Sequence, residues 1–147
     1  MTTKKTQKVS LPPNIFAQFE TDKSTELNGQ WVRGIREGMN VLVARWGNDN
    51  YKKMFQRLIK PVRQQFDRGT LSDEQLTDIT TQCMASTILL DWDGPGFRNR
   101  DGTELKYTTA VCLDLLSSLP DFRDEVVTLS RESETYRLEQ REGSAGN

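Results

Sequence analysis

The first stretch of the chain, residues 1–13, shows no hydrophobic periodicity. It carries Lys4, Lys5 and Lys8 and closes on Pro12-Pro13, so it is expected to be a flexible arm. The segment 14–46 carries strand signals. Residues 30–35 (Gln-Trp-Val-Arg-Gly-Ile) and 39–45 (Met-Asn-Val-Leu-Val-Ala-Arg) flank Arg36-Glu37-Gly38. A three-residue connection ending in Gly suits a hairpin with a bulge, because Gly takes a positive φ at little cost. Val41 and Val43 alternate with Leu42 and Ala44, which predicts burial on both faces over part of the second strand. Ile15, Phe16 and Phe19 fit a preceding strand, with 20–28 as a polar loop.

The period then changes from two to between three and four. Asn48 or Asp49 can cap a helix that reaches about Arg68, with Gly69 as its stop. Its apolar stripe is Tyr51, Met54, Phe55, Leu58, Ile59, Val62 and Phe66, and Pro61 should kink or split it. Ser72-Asp-Glu-Gln75 is a capping-box pattern opening a second helix through Leu76, Ile79, Cys83, Met84 and Ile88 to about Leu90. A third pattern covers 109–119. Pro120-Asp121 then starts a fourth, which uses Phe122, Val126, Leu129 and Tyr136. The expected fold is mainly α: a bundle of about four helices with a small N-terminal β-hairpin or sheet. A single domain over 14–141 is expected, with a β element over 14–46 and helices over 48–141. It is flanked by the arm 1–13 and a tail 142–147.

Composition narrows the chemistry. With 20 basic and 21 acidic side chains the net charge is −1, whereas a general binder of nucleic acid or anionic membrane usually carries more positive charge. No apolar run approaches the roughly 20 residues that span a bilayer, and no signal-type stretch opens the chain. Zero His excludes Ser-His and Cys-His nucleophilic machinery and His-ligated zinc. Cys83 and Cys112 lack CxxC spacing and lie in apolar helical patterns. They are expected to be small buried residues in a reducing compartment.

Other motifs fail on their spacing. Asp91, Asp93 and Asp101 cluster with Gly94, Gly96 and Gly102. Counting an EF-hand from Asp91, however, puts Pro95 fifth and Gly102 twelfth, so these residues are expected to form turns. Gly94-Pro-Gly96 has no GK[ST] after it and is no phosphate loop. The pair Asp91 and Asp93 has no nearby nucleophile or oxyanion site. No catalytic, cofactor-binding or metal-binding residue is assigned, no cofactor is expected, and the protein is expected not to be an enzyme. One helix face carries Lys52, Lys53, Arg57, Lys60, Arg63 and Arg68. It is expected to be solvated, to meet a protein partner, or to be neutralised by Asp121, Asp124, Glu125, Glu132, Glu134, Glu139 and Glu142.

From Val43 onward the chain resembles the tail assembly chaperones of tailed bacteriophages, small proteins encoded near the tape-measure protein. The matching pieces are Val43-Ala-Arg-Trp-Gly-Asn48 with Tyr51, Arg57-Leu-Ile-Lys-Pro61, Leu89-Leu-Asp-Trp-Asp-Gly94, Asp101-Gly102 and Tyr107-Thr108. Leu119-Pro-Asp-Phe-Arg-Asp-Glu-Val126 and Tyr136-Arg-Leu-Glu139 complete the series. Gly94-Pro-Gly-Phe-Arg-Asn-Arg100 departs from the family as an altered loop, and the chain ends Gly-Ser-Ala-Gly-Asn147 where the family often ends Lys-Asn. The resemblance implies a non-enzymatic factor that binds the tape-measure protein and recruits tail-tube subunits during tail morphogenesis. It would act in the host cell cytoplasm and be absent from the mature virion. Self-association is compatible with that role, and no nucleic-acid or membrane partner is expected.

Two alternatives stand beside this reading: a minor structural tail protein retained in the virion, and a small DNA-associated factor using the basic helix face. Trp92 and Tyr107 bracket the loop 93–106 and have two readings. They contact a partner, as exposed aromatics often do, or they pin the loop to the core with a polar tip outward. Both positions lie where the chain re-enters the core, which favours the structural role.

Overall fold

The computed structural model describes residues 10–132 together with Tyr136 and Arg137. The expected arm 1–13 therefore lies outside the described residues up to position 9, and the tail 142–147 lies outside them entirely. Two short helices, α1 (Ile15–Phe19) and α2 (Lys23–Asn28), precede a hairpin of β1 (Gln30–Arg36) and β2 (Met39–Val43). After these come α3 (Asp49–Ile59), a single 3₁₀ turn (Lys60–Val62), α4 (Arg63–Asp67) and α5 (Asp73–Thr87). Then β3 (Leu89–Asp93), α6 (Thr109–Ser118) and α7 (Pro120–Arg131) follow.

The result is a mixed α/β fold in place of the expected bundle with a separate β element. β2 is the centre of an antiparallel sheet ordered β1-β2-β3. Its register pairs Trp31 with Leu42 and Val32 with Val41 on one side, and Val41 with Trp92 and Leu42 with Asp91 on the other. The hairpin turn is Glu37-Gly38, with Gly38 at φ +70°, and the irregularity falls inside β1 between Val32 and Arg36. At the turn end Asn40 joins the three strands. Its side-chain oxygen accepts from the Gly34 N–H at 2.9 Å, and its amide donates to Asp93 at 2.6 Å.

Helix boundaries follow local chemistry. Asn48 accepts the Tyr51 N–H and starts α3, and Pro61 ends it in a 3₁₀ turn, as a proline without an N–H should. Ser72 and Gln75 cap α5 reciprocally. The expected continuation of α5 to Leu90 is wrong. The run from Ile88 to Trp92 is apolar at nearly every position, so a helix and a buried strand both fit it. Pairing decides: β3 hydrogen-bonds to β2, and the Ala44 N–H donates to the Ile88 carbonyl at 2.8 Å. The expected strand at Ile15, Phe16 and Phe19 is instead α1, and the expected loop 20–28 contains α2. Side chains of Asn14 and Asp22 accept the first free N–H groups of each. The second strand stops at Val43, short of Arg45, because the Arg45 N–H turns to Glu26 and the Trp46 N–H to Ser130. Tyr136 lies beyond the end of α7 and does not extend its stripe.

The core forms where α5 packs on α3, α6 and β3, with α7 over α6 and β2. Val41, Val43, Met84, Ile88, Leu89, Cys112, Leu116 and Val126 are all buried there. One Gly pair fixes how the hairpin turn seats on the loop after β3. The Gly96 N–H donates to the Gly38 carbonyl at 2.7 Å, and a Cβ at Gly94 would stand 2.3 Å from that same oxygen. Only glycine permits this approach.

Candidate partner-binding surface

The segment from Leu11 to Phe19 folds, yet none of its residues is buried among the described residues. Asn14 caps α1 through the Ala17 N–H at 2.9 Å, and the Glu20 N–H closes the turn on the Phe16 carbonyl. The helix buries none of its residues. Leu11, Ile15, Phe16 and Phe19 are 84%, 65%, 71% and 71% exposed. Their spacing of four, one and three places most of them along one side of the segment. Elsewhere among the described residues, the exposed large apolar side chains are Phe66 at 38% and Leu119 at 48%.

The base of this arm is anchored. Thr21 bridges to Arg137, and the Asp22 N–H donates to the Tyr136 carbonyl at 2.8 Å. Tyr136 itself is fully buried, its hydroxyl donating to the Val43 carbonyl at 2.8 Å. Just beyond, Glu26 receives the Thr21 hydroxyl at 2.7 Å and the Arg45 guanidinium at 2.6 Å. Burial pushes the Glu26 carboxyl up. The hydrogen bonds from Thr21 and Arg45 and the charges of Lys23 and Arg45 outweigh that push and hold it below its usual value. A cleft of about 240 Å³ opens here between α2 and the start of α3, lined by Lys23, Glu26, Arg45, Trp46 and Lys52.

The basic face is present as expected: Lys52, Lys53, Arg57, Lys60, Arg63 and Arg68 are all exposed. Its expected neutralisation by the last helix does not occur among the described residues. Glu125 of α7 pairs with Arg36 of β1 at 2.7 Å, and the other ion pairs join Arg33 to Asp93 and Glu26 to Lys23 and Arg45. On the basic face, the Arg63 guanidinium donates to neutral Gln56. Glu134, Glu139 and Glu142 lie outside the described residues.

Trp92 and Tyr107 take the structural role. Trp92 is 5% exposed, stacks on Phe97 at 4.8 Å and donates its indole N–H to the Leu105 carbonyl at 2.7 Å. The Tyr107 ring meets Trp92 edge-on, and its hydroxyl donates to the Leu89 carbonyl at 2.7 Å. The aspartates form turns and pairs: Asp101 accepts from the Thr103 N–H and hydroxyl, and Asp93 accepts from Asn40 and Arg33. Among the described residues no cluster of three His, Cys, Asp or Glu could hold a metal ion. Both cysteines are free and buried. Burial raises the Cys83 thiol to about 11 and the Cys112 thiol to about 12, so both stay protonated and unreactive near neutral pH.

The sequence pattern predicts a strand at Ile15, Phe16 and Phe19 and misses the exposed capped turn that extends the arm. Its signal was legible: Asn14 sits as a cap directly after Pro12-Pro13, and the apolar residues that follow have helical spacing. No helix among the described residues is long and apolar enough to cross a membrane. Neither the curated proteins nor the solved structures include a match to the chain. The family model of the YdaY prophage protein matches residues 46–147, from the last turn before α3 to the C-terminus. The chain belongs to the YdaY prophage protein family and is of phage origin.

Proposed function

We propose that the protein is a non-enzymatic phage tail assembly chaperone that binds the tape-measure protein and brings tail-tube subunits to it in the host cytoplasm. The observation that carries this reading is the arm: three large apolar side chains in a capped turn, with Leu11 just before it, all exposed, on an anchored base. A single helical turn is far below the ~12–15 residues at which an isolated helix becomes marginal in water. Such a turn gains order by laying its apolar side into a groove between helices of another protein. Phage origin and the resemblance of the segments from Val43 onward supply the class of partner. The described body of a second copy does not suit as the receiver, because outside the arm its exposed large apolar side chains are Phe66 and Leu119, too few to form an apolar groove.

The magnitudes suit a factor that binds and leaves. Burying four large apolar side chains yields roughly 6–12 kcal/mol before costs. Association and ordering take back several kcal/mol or more, which leaves reversible binding. Co-expression with the tape-measure protein of the same phage tests the reading. The tape-measure protein should become soluble and co-purify with this chain, and Phe16→Asp with Phe19→Asp should abolish co-purification. A tape-measure protein that stays insoluble and unbound would overturn it. Mass spectrometry of purified tails should find the chain absent, whereas many copies per particle would establish the retained tail protein instead.

A further inference from the structure

We infer that the basic face of α3 and α4 is an interface for a second copy of this chain, which docks the acidic side of its α7 against it. The surface is independent of the Leu11–Phe19 arm, so this inference and the proposed function can fail separately. Six cations stand exposed along Lys52, Lys53, Arg57, Lys60, Arg63 and Arg68, and no described carboxylate pairs with any of them. Lys53 and Arg57 are four residues apart on one helix, and Arg57 and Lys60 three apart, so these neighbours repel, with the exposed Asp49 and Asp67 towards the two ends of the face.

The complementary charge exists in the same chain but faces elsewhere. On α7 and its end, Asp121, Asp124 and Glu132 are exposed and Glu125 is half-buried, at intervals of three, one and seven. Those intervals gather the carboxylates on one side of the helix. Of the two cations of the same helix, Arg123 is turned inward to the hydroxyls of Thr80 and Thr81, and Arg131, in the last turn, lies over the Trp46 ring, so the acidic side is free of cations between Asp121 and Glu125. At about 1.5 Å per residue the acidic side from Asp121 to Glu132, just past the end of α7, runs about 16 Å, and Lys52 on α3 to Lys60 just past its end runs about 12 Å. One helix length therefore matches the other. The two faces are different surfaces, so the contact is head-to-tail and repeats from copy to copy, giving a ring where the rotation closes and an open string where it does not. A long polyanion fits the same cations less well, because the exposed acids of α5 and α7 and the net charge of −1 oppose it.

Exposed ion pairs are individually weak, so the association needs low salt and high protein concentration. Sedimentation velocity of the full chain at ~0.1 mM tests it. In about 50 mM salt the wild type should sediment faster than its 16.9 kDa monomer, and in about 0.5 M salt as the monomer. Lys53→Glu with Arg57→Glu, and separately Asp121→Lys with Asp124→Lys, should each give a folded monomer by far-ultraviolet circular dichroism. An equimolar mixture of the two variants should regain the faster species, because each restores the charge its partner lacks. That recovery also shows both variants are folded. A wild type that stays monomeric at low salt overturns the inference, as does a mixture that stays monomeric. A wild type that is monomeric alone but binds a 20-base-pair duplex DNA would assign the face to nucleic acid instead.

Discussion

The arm over Leu11–Phe19 and the loop between β3 and α6 both project from the same small body, and both carry phenylalanines among polar residues. In the loop, Phe97 is 5% exposed and lies flat on Trp92, with Phe122 of α7 at its edge. In the arm, Phe16 and Phe19 meet no aromatic partner among the described residues and are 71% exposed. The difference lies in what the backbone does. The loop is brought down by the Gly38–Gly96 hydrogen bond and by Trp92 and Tyr107 bonding to carbonyls of Leu105 and Leu89. Among the described residues the arm is tied at its base, through Thr21 and Asp22 to the Tyr136–Arg137 segment. Apolar surface left in water by a fold that buries similar groups elsewhere is the surface the proposal assigns to another molecule.

Loss of the loop's central aromatic should have the largest effect. Trp92→Ala removes a buried ring with its hydrogen bond and should cost ~3 kcal/mol or more in urea unfolding, the scale for large buried aromatics. Melting unchanged by that substitution would erase the contrast between loop and arm. Next comes the contact that seats the loop. Gly94→Ala puts a Cβ against the Gly38 carbonyl at a φ of +111°, and should cost about 2 kcal/mol, read in the same titration.

A smaller effect sharpens the anchoring at the arm's base. The Glu26 carboxyl sits below its usual value of 4.5 in the folded chain, so it contributes stability above the unfolded value, lost as pH falls through the folded one. Wild type should therefore lose stability on acidification below about pH 4.5 more steeply than Glu26→Gln does. Parallel curves would remove Glu26 from the anchor. The smallest effect belongs to the arm itself: Phe16→Asp with Phe19→Asp should change unfolding free energy by no more than about 0.5 kcal/mol, as exposed positions do.

Local signals were legible wherever the chemistry is local. The Ser72–Gln75 box, the break at Pro61 and the hairpin at Gly38 are each decided within a few residues. The strand β3 was not, since an apolar run of that length becomes a strand only because β2 presents an open edge to it. The fate of charges was equally non-local. The basic stripe is evident from spacing, but whether Asp121 and Asp124 reach it depends on how α7 is turned. Turning Arg36 toward Glu125 settled part of that. The arm fell between these cases: its cap and spacing were visible, while its exposure depends on how the rest of the described chain packs.

The central claim is that the arm serves binding and not folding, and one paired measurement on a single variant tests it. Phe16→Asp with Phe19→Asp is compared with wild type for its melting temperature alone and for capture of co-expressed tape-measure protein. We expect melting within a degree or two of wild type and capture reduced to background. A variant that still captures the tape-measure protein as wild type does, or that melts well below it, would contradict the claim.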